Sequence, residues 1–221
     1  METVIGEILA MATPLEKARK DPDSMKARIL IGARRSFGEY GFHGTTTRMI
    51  ARKVGIDIST LYYHWGEKGD LYEAVILDIN DDLHQKLHEV ESVIHGLPLE
   101  KRMDISIDMI TDHLFQHPEI SNLILFRYFG KTRRETSLDF KVPEFISDIA
   151  RSMGLCLDKK SVPNRIKMQV LAMMNAIHNF ISGENFFRPM LKIDREAYIA
   201  LTKETLKFIL IPAFTGHGAQ S

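Results

Sequence analysis

Apolar residues recur at helical spacing along almost the whole chain, and this pattern constrains the fold more than any other feature of the sequence. Alternating β-branched runs, the mark of strands, are absent. Gly and Pro fall between the periodic stretches, where helix punctuation belongs. The sequence therefore predicts an all-α protein.

The first third is cut into short pieces. Asp21-Pro22-Asp23-Ser24 supplies helix-start chemistry, with capping oxygens and negative charge at the positive end of the dipole. The helix after it carries Ile29, Ala33, Phe37 and Tyr40 on one stripe and stops at Gly41. Thr45-Thr46-Thr47 caps a short second helix with Ile50, Ala51 and Val54 inward, ended by Gly55. Asp57 caps a third short helix, Ile58 to His64. A longer helix starts near Glu67 and runs towards His95 with Leu71, Val75, Ile79, Leu83 and Leu87 on one face. Further helices are predicted over about 99–116, 119–129, 137–151 (interrupted or started by Pro143), 163–182 and 195–211, the last stopped by Pro212. The division expected is an N-terminal arm (1–20), a domain of short helices (21–67), a helical-bundle domain (68–214) and a frayed tail (215–221).

Two short helices joined by the tight turn Gly55-Ile56-Asp57 form a helix-turn-helix, whose second helix enters the major groove of DNA. The side chains suit that task. Ser59, Thr60, Tyr62, Tyr63 and His64 cluster on the second helix as short-range partners for phosphates or base edges. Thr46, Thr47 and Arg48 open the first helix, where unpaired N–H groups favour a phosphate. Lys68 begins the next helix, within reach of the DNA backbone. Net charge agrees in sign: Leu15 to Lys68 holds 11 Lys/Arg against 6 Asp/Glu, while the whole chain balances at 29 each.

This stretch resembles the TetR/AcrR family of one-component repressors. The resemblance rests on Ile31-Gly32-Ala33-Arg34-Arg35-Ser36-Phe37, then Tyr40-Gly41-Phe42-His43-Gly44-Thr45-Thr46-Thr47, then Ile50-Ala51-Arg52-Lys53-Val54-Gly55-Ile56. Ser59-Thr60-Leu61-Tyr62-Tyr63-His64-Trp65 and Lys68-Gly69-Asp70-Leu71 complete it, without a gap over about fifty residues. Trp65 stands where Phe is usual, Asp57 replaces the frequent cap Ser, and Gly69 replaces a common Glu, weakening a capping contact. Ile58 occupies a position that in relatives often reads a base through a polar side chain; here it offers a thymine methyl an apolar contact.

The resemblance implies a sequence-specific regulator, a repressor that leaves a near-palindromic operator when a small-molecule effector binds the later helices. It also implies homodimerisation through the last two helices. A helix-turn-helix repressor needs two read-heads about one DNA turn (~34 Å) apart. Tyr198, Leu201, Thr205, Phe208 and Ile209, with Met168 on the Met-rich helix before them, form either a four-helix dimer interface or intramolecular core. Polar groups on greasy helices mark a candidate effector pocket: His113 near Met109, and Asn175 and His178 beside Met174, with Phe126, Phe129 and Phe145 as aromatic walls. Either histidine reads equally as a satisfied core residue.

Other classes fit poorly. His113 and His117 have metal-ligand spacing, but no Glu follows the first and Pro118 ends the helix, so no metal or cofactor is expected. No nucleophile elbow or phosphate-cradling glycine loop is present, so an enzyme is not expected. A helical adaptor would need neither the local basic charge nor the donor-rich short helix. With 44% hydrophobic and 26% charged residues, the composition is that of a soluble globular chain. Cys156 is the only cysteine, which excludes an intrachain disulfide. No membrane span or basic-apolar leader is read, and the cytoplasm is the expected location.

Overall fold

The computed structural model describes residues 13–129, 142–156 and 161–216, and every regular element among them is an α-helix. Two compact units divide between Ile79 and Asn80. That division falls inside one continuous helix, α5 (Lys68–Ile94). Expectations placed on 1–12, 130–141, 157–160 and 217–221 lie outside the described residues.

The first unit starts with α1 (Pro14–Lys20), which the sequence reading passed over within its N-terminal arm. Its start is a reciprocal cap: Thr13 Oγ1 accepts from the Glu16 N–H at 3.2 Å, and Glu16 Oε2 accepts from the Thr13 N–H at 2.7 Å. Asp78 on α5 holds α1 and α2 together, accepting from Arg19 at 3.2 Å and Arg34 at 3.1 Å. α2 (Met25–Gly44) is capped by Ser24 and broken at Gly41, whose φ of 68° is open to glycine and costly for other residues. α3 (Thr47–Val54) and α4 (Ile58–Trp65) complete the bundle. Ile29, Ala33, Phe37, Ile50, Leu61, Leu71 and Val75 are fully buried at its centre. Each larger member contributes about 1.5–3 kcal/mol by leaving water. Tyr40 was expected on that stripe but is 48% exposed. It stands at the end of the regular part of α2, just before the Gly41 break.

The second unit holds α6 (Leu99–Gln116), α7 (Pro118–Phe129), α8 (Val142–Ser152), α9 (Asn164–Ser182), α10 (Glu184–Leu191) and α11 (Arg195–Thr215). α10 was not foreseen. α11 runs past Pro212 to Thr215, against the expected stop. Pro212 costs the helix one bond, to the carbonyl of Phe208. Both residues lie on the exposed side, where water replaces that bond. α6 and α11 are joined by ion pairs: Lys207 reaches Asp104 at 2.8 Å and Asp108 at 2.7 Å, and Lys203 reaches Asp112 at 2.6 Å. Arg195 adds a bond to the Phe115 carbonyl at 2.8 Å.

Candidate nucleic-acid interface

The turn between α3 and α4 follows from three residues. Gly55 takes a left-handed conformation (φ 77°, ψ 39°) and donates to the carbonyls of Ala51 and Arg52. Ile56 turns back to the Ala51 carbonyl at 3.0 Å. Asp57 then accepts from Ser59 Oγ at 2.5 Å and the Thr60 N–H at 2.8 Å. Those bonds, the Ser59 one foremost, hold its carboxyl below the usual carboxylate range. The same cap fixes Ser59, an expected DNA contact, beside the helix start.

α2 holds the ends of the two short helices. Lys26 Nζ donates to the His64 carbonyl at 2.7 Å, Trp65 Nε1 donates back to the Lys26 carbonyl at 3.1 Å, and Arg28 donates to the Val54 carbonyl at 3.2 Å. Cations thus meet the negative ends of α3 and α4. Gly32 lets α2 and α3 approach: a Cβ there would stand 2.6 Å from Val54 Cγ2. None of these ties was anticipated, because residues 26 to 39 positions apart in sequence give no local signal.

The resulting face is donor-rich. Tyr63 is 85% exposed and Tyr62 is 47% exposed. Thr46, Arg48 and Ser59 are exposed, while Thr47, Ile58, Thr60 and His64 are half-buried. Thr46 caps α3 by accepting from the Met49 N–H at 3.2 Å, and Thr47 Oγ1 lies 3.5 Å from Tyr62 Oη. Burial, and then the charge of Lys26, depress the basicity of His64, so its ring is neutral at neutral pH. It offers a hydrogen bond, not a charge.

Lys68 departs from expectation. Its ammonium does not point outward; it donates to the carbonyls of Phe42 and Thr45, each at 3.0 Å, and sits 4.3 Å from the centre of the Phe42 ring. The end of α2 presents those carbonyls after the Gly41 break, and the lysine satisfies them. The weakened cap expected from Gly69 is supplied by its neighbour: Asp70 Oδ2 accepts from the Glu67 N–H at 2.9 Å.

Residues 29–75 match the family model described as "Bacterial regulatory proteins, tetR family". This likeness to the TetR family covers the helix-turn-helix segment of the chain. Among TetR-family relatives, the Escherichia coli K12 regulator UidR is 30% identical over 101 residues, 46% of this chain and 50% of UidR. The chain thus spans about half the length of the curated relatives it first matches. The Staphylococcus aureus biofilm-operon negative regulator IcaR is 25% identical over 160 residues, 72% of this chain and 81% of IcaR. Among solved structures, a Clostridium perfringens putative fatty acid metabolism regulator aligns with TM-score 0.63 at 18% identity, covering 83% of this chain and 96% of that one. Bacillus subtilis FadR in complex with stearoyl-CoA aligns with TM-score 0.54 at 14% identity, covering 83% and 96%. These structures share the TetR-family fold, an N-terminal helix-turn-helix followed by a helical domain.

The second unit encloses a void of about 90 Å³ between α5, α6, α8 and α9. Of the expected pocket residues, Phe145, Met174 and His178 line it. The others do not. Asn175 is exposed on the outward stripe of α9 with Met168, Ala172 and Asn179. Phe126 is exposed, and Met109 and His113 are half-buried outside the lining, His113 Nε2 lying 3.2 Å from Asp82 Oδ1. The side chain of Phe129 lies outside the described residues. Residues missed include Val90 and Ile94 on α5, and Met103 and Ile107 on α6. Leu83 and Leu87 had been placed on one apolar face by periodicity, and that face meets the void.

The expected dimer residues also divide. Met168, Leu201, Phe208 and Ile209 are exposed and Thr205 is half-buried. Tyr198 is buried in its own chain, its hydroxyl donating to the Phe180 carbonyl at 2.8 Å and its ring edge-on to Phe115. It belongs to the intramolecular core. No helix among the described residues is long and apolar enough to cross a membrane.

Proposed function

We propose that this chain is a sequence-specific transcriptional regulator: a homodimeric repressor that binds a near-palindromic DNA site and is released by a small molecule held in the second unit. The observation that carries this reading is the α4 face. A short helix, capped by Asp57 and tied at its end by Lys26, presents Ser59, Tyr62 and Tyr63 to solvent. A helix this short gains little from packing a face so rich in hydroxyls, but such a face matches phosphates and base edges. Thr46, Thr47, Arg48, Thr60 and His64 border it and complete the proposed contact set, with Ile58 as the apolar reader.

Homodimerisation is supported by Leu201, Phe208 and Ile209 on α11 and Met168 on α9, large apolar side chains left facing solvent. The effector role is supported by the void in the second unit, bounded by α5, the one helix among the described residues that also enters the DNA-binding unit. Ligand-dependent displacement of that helix links the two sites.

The test is selection of bound sequences from a random duplex pool, followed by gel shifts with the recovered site. The expected result is a near-palindromic site bound tightly and with steep salt dependence, and loss of that binding in Tyr63→Ala with the fold intact. Uniform weak binding to every duplex at all salt concentrations overturns the proposal.

A further inference from the structure

The face of α4 has a free charge on one flank and lacks it on the other. Tyr62 and His64 stand two residues apart, about 200° around the helix axis, so they mark opposite flanks with Tyr63 between them. On the Tyr62 flank, Thr47 Oγ1 lies 3.5 Å from Tyr62 Oη. The next residue, Arg48, is exposed, and its guanidinium makes no hydrogen bond or ion pair with a described residue. The His64 flank was expected to offer His64 and Lys68. His64 is neutral, and Lys68 is engaged by the Phe42 and Thr45 carbonyls. Lys26, the other cation there, is engaged by the His64 carbonyl. A recognition helix lies between two phosphate strands in a groove about 12 Å wide, so a flank without a free cation leaves one strand unneutralised.

Lys17 is a free cation on that flank. It belongs to α1, outside the residues 29–75 that match the family model. A helix of 7 residues does not persist alone, and α1 is held from three directions. Thr13 and Glu16 cap it, Leu15 and Ala18 are buried, and Arg19 is fastened to Asp78. This docking leaves Lys17 exposed. Its ammonium makes no hydrogen bond or ion pair with a described residue; the neighbouring acid, Glu16, is engaged in the cap, and Asp21 and Asp23 form no ion pair with it. Lys17 stands close enough to Lys26 for its charge to be felt there: burial first, and then Lys17, lower the Lys26 pKa. Two like charges held together at the rim of a donor-rich face attract an anion.

We infer that Lys17 binds a DNA phosphate on the His64 side of the recognition helix, taking the place that the sequence pattern assigns to Lys68. This role of α1 rests on the reading of the chain as a DNA-binding regulator.

Gel shifts with the selected duplex at about 50 to 200 mM salt compare the native chain with Lys17→Gln and Lys17→Arg, and ethylation interference maps the phosphates that each needs. One phosphate contact contributes about 0.9 to the slope of log affinity against log salt, a factor of about 3.5 per protomer over that range. Lys17→Gln should lose this factor, and ethylation of one phosphate per half-site should cease to weaken its binding. Lys17→Arg should keep both. The urea midpoint followed by Trp65 fluorescence should fall in neither variant, because the Lys17 ammonium holds nothing in its own chain. A Lys17→Gln chain with the native salt slope and phosphate map overturns the role of Lys17 alone. So does an affinity that falls equally at every salt concentration together with the urea midpoint, which marks a structural lysine. A native chain that binds every duplex alike overturns the regulator reading, and this role with it.

Discussion

Replacing Lys68 with Met separates two roles that a lysine at this place can play. The native ammonium holds the Phe42 and Thr45 carbonyls at 3.0 Å each and lies over the Phe42 ring. Bonds from a charged donor are each worth about 1.5–3 kcal/mol, and partial exposure here discounts them, so the expected loss is about 2–3 kcal/mol in the first unit. Trp65 is the only tryptophan and is buried in that unit, so its fluorescence in a urea titration reports the loss directly. At a slope of about 1–3 kcal/mol per molar urea, the midpoint should fall by roughly 1–2 M. DNA affinity at one salt concentration falls too, because less protein is folded, and so does not discriminate. The salt dependence does. A lysine on a phosphate contributes about 0.9 to the slope of log affinity against log salt, whereas a lysine bonded to carbonyls contributes nothing. The Lys68→Met chain, measured where it is folded, should keep the native slope. A slope reduced by about one, with an unchanged urea midpoint, would refute the reasoning.

Gly32→Ala puts a methyl 2.6 Å from Val54 Cγ2 and must push α3 from α2; a loss of about 1–3 kcal/mol in thermal unfolding is expected, and unchanged stability counts against the close approach. His178 has its pKa lowered to about 4 from 6.5, so between those values the unfolded chain binds the extra proton. Its contribution is complete above about pH 6.5 and is lost as pH falls towards 4, by an order of about 3 kcal/mol. His178→Gln should flatten the pH dependence of unfolding over that window relative to the native chain, and equal slopes refute this. Phe208, 79% exposed on α11, should support self-association. Phe208→Asp is expected to yield monomers in sedimentation experiments with helix content retained, and an intact dimer would remove this face from the interface.

The sequence discloses what is decided within a few residues. Ser24, Thr46, Gly55 and Asp57 mark helix ends through bonds to their own neighbours, and all four do so in the structure. Thr13-Pro14-Leu15-Glu16 carries the same kind of local signal for α1, which the sequence reading passed over. Pro212 misled because its cost depends on whether water can reach one carbonyl, which is a tertiary matter. The pocket was legible only in part for a related reason. Periodicity says that α9 has an inward and an outward side, but not which. The inward stripe carries Val170, Met174, Ile177 and His178, while Asn175 falls on the other. Lys68 shows the same limit at a single side chain: its place at a helix start was plain, but carbonyls twenty-three and twenty-six residues away decide where its charge goes.

The lysines between α6 and α11 bear on a different problem, that of uniqueness. α11 buries Tyr198, Leu206, Leu210 and Phe214 on one side and leaves Leu201, Phe208 and Ile209 on the other. By greasiness alone, such a helix could roll about its axis and settle on either side with little to choose between them. Lys203 and Lys207 end that ambiguity, because only one rotation brings them to Asp112, Asp104 and Asp108. Rolling the wrong way would strand five charges, three of one sign on α6 and two of the other on α11. These surface ion pairs act less as glue than as an index mark, fixing which apolar face of α11 closes its own chain and which stays exposed to solvent.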